Sequence, residues 1–232
     1  MHLPSLSLLL GSASLALTSA LDAQTISFGS FDSEMPGWTL SLATEDATRD
    51  LAVVDGTLAF TPGASNNQWG PRYDMNFLGS ANLETVLTAP MVELSFDVTY
   101  DWSEWSATGD DWVQVSKVAY NSPSTGFAEL SRDDAAPAGL MTDTGNPGFP
   151  GGTNVSTGTY TTTLTWDITG ILAGANSSDG YHQLDIEVNA AGGVVPGPYY
   201  FDNFTFTAVP EPSAMGLLVG LGVMTLVSRR RR

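Results

Sequence analysis

Three stretches of the chain alternate between apolar and polar residues. They cover residues 92–102, 160–168 and 182–188, and in each the apolar side chains fall mainly at even positions. A repeat of two residues with one apolar face predicts β-strands in an antiparallel sheet that is covered on one side. No segment between residues 24 and 208 has a convincing helical repeat, so the pattern predicts an all-β domain.

Turn residues separate these patterns. Asp55-Gly56 stands between two strand-like runs, Leu51–Val54 and Thr57–Phe60, which predicts a tight β-hairpin. Several short strands joined by Gly, Pro, Asn and Asp predict an antiparallel β-sandwich or jelly roll. Residues 121–158 contain many prolines and glycines and predict a long loop, either functional or disordered, in which Phe127–Leu130 could form a short strand.

The N-terminal residues have the pattern of a secretory signal peptide. An apolar run, Leu3–Leu17, is followed by small residues that would allow cleavage after Ala20 or Ala23. The alternative, a buried first helix, is weaker because a glycine and several serines interrupt the run. We therefore expect residues 1–23 to direct export and residues 24–208 to form the mature β-sandwich domain.

A second apolar segment, Ala214–Val227, lies near the C-terminus and precedes Arg229–Arg232. A helix of that length covers about 21 Å, which is less than the roughly 30 Å of a bilayer's hydrocarbon core. The segment therefore predicts a short transmembrane helix that anchors the chain only marginally, with its arginines in the cytoplasm. Weak anchoring suggests a temporary stop during export rather than permanent residence in the membrane.

A proline-bracketed motif precedes this apolar segment. Pro210, Glu211 and Pro212, followed by the short helix and the terminal arginines, resemble the PEP-CTERM sorting signal of exported Gram-negative bacterial proteins. The resemblance covers residues 209–232 and implies recognition by an exosortase, a membrane enzyme thought to process the tail near the Pro-Glu-Pro. It also implies an association with extracellular polysaccharide and biofilm, and it leaves the function of the body open.

The body of the chain is strongly acidic. The 232-residue chain has a formal net charge of −17, and its only basic residues between residues 24 and 208 are Arg49, Arg72, Lys117 and Arg132. Such a surface repels nucleic acid and anionic lipid, which argues against both as partners, and it suits divalent cations or neutral polymers. The alternative is that the charge serves solubility alone. The chain has no cysteine, which excludes disulfide and thiolate chemistry.

Asp202 is the most informative carboxylate of the sequence. It alternates in phase with Phe204 and Phe206, so the pattern predicts that all three side chains point into the core. A buried carboxylate needs hydrogen bonds, a base or a metal ion, and calcium accepts carboxylate ligands in irregular geometry. Further ligands are available at Asp32, Glu34 and Asp55. The alternative is that Asp202 lies at a strand end and accepts hydrogen bonds from backbone amides.

Two segments resemble the first and last strands of jelly-roll carbohydrate-binding modules. They are FGSFDSEMPGW, which contains Asp32, and YYFDNFTF, which contains Asp202. In those modules an early acidic residue and an aspartate of the last strand often frame a structural calcium ion, so the resemblance implies that role for Asp32 and Asp202. The early residue is usually Glu in that group and is Asp here.

Two tryptophans are candidate contacts for a sugar. Trp105 follows a predicted strand, in a polar segment that also contains Asp101 and Glu104. An exposed indole can stack on the apolar face of a sugar ring while neighbouring carboxylates accept hydrogen bonds from its hydroxyl groups. Trp69, in NNQWGPRY, is predicted to lie in a second loop. The alternative is that both tryptophans close the ends of the sandwich.

The sequence offers little for catalysis. His182 is the only histidine after the signal peptide, and it lies in phase with the apolar face of its strand, so we expect a core residue rather than a base. No Gly-x-Ser-x-Gly elbow is present. Asp185 and Glu187 only distantly resemble the carboxylate motif of sandwich-fold glycanases, and we expect both to lie solvated on the polar face. No catalytic residue is therefore predicted.

Together these patterns predict an exported, surface-sorted, non-catalytic β-sandwich protein of the cell envelope or extracellular matrix. Structural calcium and contact with extracellular polysaccharide are further expectations. One alternative is a purely structural matrix or coat protein, which needs no ligand site. The other is a glycan-cleaving enzyme, which needs two carboxylates about 5–9.5 Å apart across a groove.

Overall fold

The computed structural model describes residues 23–41, 48–63, 67–101, 112–131, 141–142, 153–154, 159–190 and 197–209. Its strands, in chain order, are β1 (Gln24–Ser27), β2 (Trp38–Leu40), β3 (Asp50–Val54), β4 (Thr57–Thr61), β5 (Asn67–Asp74), β6 (Met91–Asp101), β7 (Trp112–Ser122), β8 (Gly126–Ser131), β9 (Met141–Thr142), β10 (Thr153–Asn154), β11 (Thr159–Asp167), β12 (Gln183–Ala190) and β13 (Tyr199–Val209). The predicted signal peptide, residues 1–23, lies outside the described residues except for Ala23, and the predicted C-terminal helix, Ala214–Val227, lies outside them entirely.

The strands form two sheets, which confirms the predicted all-β sandwich. The six-stranded sheet has the order β11-β6-β13-β4-β3, with β1 also paired to β13. The seven-stranded sheet has the order β10-β9-β7-β12-β5-β2, with β8 also paired to β7. The described strand pairs are antiparallel except β9 and β10, which run parallel. In the described part of the chain no helix has the length and apolarity needed to cross a membrane.

Aromatic side chains fill the space between the two sheets. Phe204 and Phe206 come from the six-stranded sheet, and Trp38 and Tyr73 come from the seven-stranded sheet. Phe28, just after β1, stacks on Phe206 with ring centroids 4.4 Å apart and lies 4.6 Å from Tyr73. Trp38 and Phe204 are 4.5 Å apart. Such offset and tilted ring pairs add to the stabilisation that burial alone provides, and they hold the sheets face to face.

The predicted hairpin at Asp55-Gly56 is confirmed. Val54 pairs with Thr57, so the turn between β3 and β4 has two residues. Asp55 and Gly56 have φ angles of 49° and 80°, which is the left-handed backbone that a type I′ turn requires. Asp55 is exposed at this tip.

Two expectations about regular structure are wrong. Residues 121–158 do not begin as a loop: β7 runs to Ser122, turns and returns as β8, which confirms the short strand expected at Phe127–Leu130. The chain also contains a helix, α1 (Ser80–Thr88), of which only Leu83 and Val86 are buried. A 3-10 helix (Met75–Leu78) and a single turn, α2 (Thr169–Leu172), complete the helical segments that the structure describes. An apolar face of two residues is too short to produce a clear helical repeat.

A β-bulge in β13 overturns the predicted position of Asp202. The pairing of β13 with β6 shifts between Asp202 and Thr205, and Asn203 adopts a φ of 55°. The extra residue puts Phe201 and Phe204 on the same side, so the buried positions change from odd to even numbers within the strand. Asp202 therefore does not face the core with the two phenylalanines that follow it, and it lies half-buried on the other side of the sheet.

His182 lies in the core, as predicted. Its side chain has no exposed surface, and its Nδ1 atom is 2.6 Å from the hydroxyl oxygen of Tyr120. Its Nε2 atom has no hydrogen-bond partner among the described residues. The buried ring is thus held from β7 by Tyr120 and has no surface exposed to solvent.

Candidate binding face

Strand β12 defines two faces of the seven-stranded sheet. Leu184 and Ile186 point into the core, so Asp185 and Glu187 point to the opposite side, which we call the outer polar face. Asp185 and Glu187 were expected to be exposed to solvent on this face, and that prediction is wrong. Asp185 is 0% exposed and Glu187 is 4% exposed. Buried charges of this kind need compensation by nearby partners.

Asp185 obtains this compensation from Arg72 on β5. The two residues are direct neighbours in the β12–β5 ladder. Arg72 Nε donates to Asp185 Oδ1 at 2.9 Å, and Arg72 Nη2 donates to Oδ2 at 3.3 Å. The same Nη2 donates to Ser41 Oγ at 3.2 Å. The parallel donation from one guanidinium to both carboxylate oxygens fixes the orientation of both side chains.

Glu187 is held by a hydroxyl group rather than by a full charge. Ser116 lies at an irregularity in the β7–β12 pairing, and its Oγ donates to Glu187 Oε1 at 2.7 Å. Burial raises the pKa of Glu187 above its ordinary value, although the hydrogen bond from Ser116 and the charge of Lys117 act in the opposite direction. The nearby carboxylate of Glu129 adds to the increase.

The basic residues of the described chain are gathered at this face. Lys117 Nζ contacts Glu129 Oε1 at 2.9 Å on the outer polar face, in addition to the Arg72–Asp185 pair. Arg49 Nη1 donates to the backbone oxygens of Trp69, at 2.8 Å, and of Ser41, at 3.0 Å. The described part of the face therefore carries no excess positive charge, because each of these basic groups has an acceptor.

An aromatic pair reaches across the same face. Trp69 lies opposite Glu187 in the β5–β12 ladder, which places it on the outer side, in a strand rather than in the predicted loop. Its ring centroid is 5.3 Å from that of Phe127 on β8, in an edge-to-face arrangement. Strands β12 and β7 lie between β5 and β8 in the sheet, so the two side chains extend toward each other over those strands. We call this pair the aromatic bridge.

One ring of the aromatic bridge is well exposed. Phe127 is 48% exposed, and Trp69 is half-buried. Phe127 was absent from the predicted site because its segment was expected to be a loop. The signal that could have revealed it is the alternation of Phe127 and Glu129 with Ala128 and Leu130, of which the last two pack against the core.

The other residues predicted for sugar binding are not placed by the structure. Trp105 and Glu104 lie outside the described residues, and Asp101 is the last residue of β6, with an undescribed side chain. Their role stays a prediction. Trp69 is therefore the one predicted contact whose surroundings are defined.

None of the predicted calcium ligands is fully buried. Asp32, Glu34 and Asp55 are exposed, and Asp202 is half-buried beside the bulge. Within the described residues no three Asp, Glu or His side chains come together in a way that would hold a metal ion. Asp202 Oδ1 accepts a hydrogen bond from the backbone N–H of Asn203 at 2.8 Å, which agrees with the alternative of backbone capping.

Two small cavities lie on either side of Ser27–Ser30. Their volumes are about 210 and about 230 Å³. Tyr73 and Phe77 line the first cavity, and Asn203 and Phe204 line the second. No Asp, Glu, His, Lys or Arg occurs among the described residues that line them. Both salt bridges described in the structure lie instead on the outer polar face.

The Arg72–Asp185 pair generates a stability prediction. Replacing Arg72 with Met keeps much of the apolar stem but removes the charge that compensates Asp185. We expect the free energy of unfolding to fall by about 3–5 kcal/mol, because a buried carboxylate is left unpaired. Lys117→Met is the matched control, since its pair with Glu129 is more exposed and contributes less than about 1 kcal/mol. Denaturant unfolding measures both, and equal losses would contradict the role assigned to Arg72.

Glu187 generates a prediction about pH. Because burial raises its pKa, the folded state keeps the proton where the unfolded chain loses it, so this carboxyl lowers stability as the pH rises above its ordinary value of 4.5. Glu187→Gln removes that effect and keeps an oxygen that can accept the Ser116 hydrogen bond. We subtract the melting temperature of the wild type from that of Glu187→Gln. This difference should be larger at pH 7 than at pH 4. A difference that does not change with pH would contradict the burial of a charged Glu187.

Several solved carbohydrate-binding modules are similar to this chain in overall architecture. A CBM22-1 xylan-binding domain of Paenibacillus barcinonensis Xyn10C has 12% sequence identity, covers 82% of this chain and 97% of its own, and aligns with a TM-score of 0.43. The mannan-recognising module TmCBM27 has 13% identity, coverages of 81% and 96%, and a TM-score of 0.40. The CBM28 module specific for non-crystalline cellulose has 10% identity, coverages of 78% and 91%, and a TM-score of 0.40. Xylan, mannan and non-crystalline cellulose are the ligands of those three proteins.

The C-terminal segment has a specific match. No curated protein matches the chain as a whole. Residues 208–232, however, match the family model of the PEP-CTERM protein-sorting motif, which includes Pro210, Glu211 and Pro212. This confirms the predicted sorting signal and implies export and sorting to the surface. The chain therefore combines a β-sandwich body with a C-terminal PEP-CTERM sorting motif.

Proposed function

We propose that this protein is an exported, surface-sorted β-sandwich that binds extracellular polysaccharide without cleaving it. The sorting motif at residues 208–232 supports the first part. The aromatic bridge on the outer polar face carries the second part. Trp69 and Phe127 present ring surface at the centre of a sheet face whose other side chains are mostly polar.

The chemistry of the face suits a sugar polymer. Pyranose rings have apolar C–H faces that stack on aromatic side chains, and their hydroxyl groups exchange hydrogen bonds with amides and carboxylates. Asn121 and Gln183 are half-buried neighbours on the face, joined by a hydrogen bond of 3.3 Å. Glu129 keeps 45% of its side-chain surface exposed. An aromatic pair flanked by such groups is a surface on which a sugar chain can lie.

Charge favours a neutral polysaccharide. Arg72 and Lys117 are paired with Asp185 and Glu129, so the face offers no excess positive charge to an acidic sugar. The rest of the molecule is acidic and repels polyanions over a range of about 8–10 Å at physiological salt. A neutral polymer experiences neither effect. We therefore propose that the ligand contains few or no carboxylate or sulfate groups.

The buried carboxylates support binding without catalysis. A glycosidase needs one carboxylic acid and one carboxylate that both reach the scissile bond. Asp185 is engaged with Arg72 and has no exposed surface, and Glu187 is buried against Ser116. Groups enclosed in this way hold the sheet together and do not reach a substrate that lies on the surface.

Trp105, with Asp101 and Glu104, is retained as a second proposed contact. The support is the sequence, in which an indole is followed and preceded by carboxylates in a polar segment. Two stacking surfaces on one domain would contact separate sugar units of the same polymer. The two sites can be tested independently because a single aromatic substitution disrupts each of them.

Aromatic substitutions test the binding proposal. We expect Trp69→Ala and Phe127→Ala each to weaken binding to neutral polysaccharides by roughly 5- to 150-fold, since stacking with an aromatic ring contributes about 1–3 kcal/mol in comparable complexes of planar ligands. Phe77→Ala is the matched control, because Phe77 is also exposed, at 62%, but lines a cavity elsewhere. Affinity electrophoresis or calorimetry with neutral and uronate-containing polymers provides the measurement, and Trp105→Ala is tested in parallel.

The alternative of a structural matrix protein predicts a different result. The wild-type body would then ignore every polysaccharide in the panel and would self-associate. Binding that is unchanged in Trp69→Ala, Phe127→Ala and Trp105→Ala would also rule out the proposed contacts. Binding restricted to acidic polymers would contradict the argument from charge.

We also propose that calcium binds near Asp202. The support is that Asp202 lies directly opposite Asp97 in the β13–β6 ladder, where two like charges destabilise a sheet and a cation would relieve the repulsion. Asp97 also accepts a hydrogen bond from Asn203 Nδ2 at 2.7 Å. Asp32 and Asp55 are the further ligands that the sequence suggests, and they would have to move toward Asp202 to bind the same ion, because the described structure does not bring three such side chains together.

Calcium binding is tested by thermal unfolding with and without a chelator. At a free calcium concentration 100 times Kd, binding to the folded state alone adds about 2.7 kcal/mol of stability, which raises the melting temperature by several degrees. Asp202→Asn should reduce this increase. Asp167→Asn, at an exposed acid of the same sheet, should not. An identical melting temperature with calcium and with chelator would remove the calcium proposal.

A further inference from the structure

Both ends of the sandwich domain leave it from the same place. Strand β1 begins at Gln24 and pairs antiparallel with the end of β13, so that Gln24 lies opposite Ala208. On the other side of β13, Val209 lies opposite Met91, the first residue of β6. The predicted signal peptide precedes Gln24, and the sorting motif continues beyond Val209. We call the surface formed by Gln24, Met91, Val209 and the neighbouring segment 88–90 the exit pole.

No spacer separates the sorting motif from the folded sheet. The match to the motif begins at Ala208, which is 2% exposed and paired with both β1 and β6. Pro210 follows directly after the last strand residue. Since an extended residue spans at most about 3.5 Å, the Pro-Glu-Pro cannot extend more than about 10 Å beyond Val209. Any enzyme that binds this motif must therefore come into contact range of the exit pole.

The end of β13 cannot be released easily to provide a longer tail. This strand lies inside the six-stranded sheet and is paired on both edges along residues 205–208. Phe204 and Phe206 are fully buried in the aromatic core. Pulling the strand out would expose both rings to water, at a free-energy cost of about 25 cal/mol per Å² of apolar surface. The enzyme therefore meets a folded domain, not an unfolded chain.

The residues that form the exit pole are uncharged, and the nearest exposed carboxylate on β6 is Glu93, two residues from Met91. Residues 88–91 are Thr, Ala, Pro and Met, and Met91 is 42% exposed. Gln24 is exposed beside them, and its side chain donates to Asn82 Oδ1 of α1 at 3.5 Å. In a chain of formal net charge −17, uncharged residues at the point where the tail leaves the domain lower the local repulsion from anionic lipid and from a membrane-embedded protein.

We propose that the exit pole is a docking surface for the membrane enzyme that processes the C-terminal tail. The enzyme contacts Met91 and its neighbours at the same time as it binds the Pro-Glu-Pro, so the folded pole is part of what it recognises. The inference rests on the proposed sorting of this chain, and it adds that the tail alone is an incomplete substrate.

A charge placed at the exit pole tests this inference. Met91→Glu in the full chain should slow tail processing by roughly tenfold, which corresponds to about 1.4 kcal/mol. Val54→Glu is the matched control, because Val54 lies in the same sheet at a hairpin tip and has a similar exposure of 40%. The mass of the protein recovered after a pulse of synthesis measures the processed fraction. Equal melting temperatures of the purified variants exclude a folding defect.

A second arm separates docking from sorting. Eight Gly and Ser residues inserted between Val209 and Pro210 move the tail away from the pole, and we expect slower processing than in the wild type. If the inserted chain or Met91→Glu is processed at the wild-type rate while Glu211→Ala blocks processing, the docking inference is overturned and the sorting proposal stands. Normal processing of Glu211→Ala would overturn the sorting proposal itself.

Discussion

Asp185 has no exposed surface, and the bidentate contact with Arg72 is what allows its charge to remain inside the molecule. The pair lies between β12 and β5, so it fixes those two strands in register on the outer polar face. Arg72 also reaches Ser41, whose backbone oxygen accepts from Arg49, and Arg49 holds the backbone oxygen of Trp69. The position of Trp69 is thus connected through two arginines to one buried carboxylate. The aromatic bridge depends on this arrangement, because a ring that stacks on a ligand has to be held in place beforehand.

Part of the strand pattern of the body was predictable because some buried strands show it locally. In β6 and β12 the apolar residues occupy alternate positions, and the structure buries those positions. The hairpin at Asp55-Gly56 was equally clear, since few dipeptides adopt two left-handed residues in succession. Such features depend on residues that are adjacent in the sequence, so they can be recognised in a single sequence.

The errors have a common cause in irregular backbone and in partners distant in sequence. The bulge at Asn203 reverses the alternation within β13, and nothing in the local pattern of aromatic residues marks its position. Asp185 was assigned to solvent because the alternation placed it on the polar face, and its partner is 113 residues away in the chain. Phe127 was missed because the prolines and glycines around it suggested a loop. Candidate sites assembled from distant strands can be recognised only after the register of those strands is known.

The order of the strands links folding to sorting. The last strand, β13, is central to the six-stranded sheet, where it is paired with β6, β4 and β1. The sorting motif begins at Ala208 within this strand, so its first two residues are paired into the sheet. Ala208 and Val209, where the tail begins, therefore have a defined position in the folded domain that the unfolded chain does not give them. A sorting enzyme that acts next to the sheet would therefore discriminate between the two states without a separate recognition of misfolded protein.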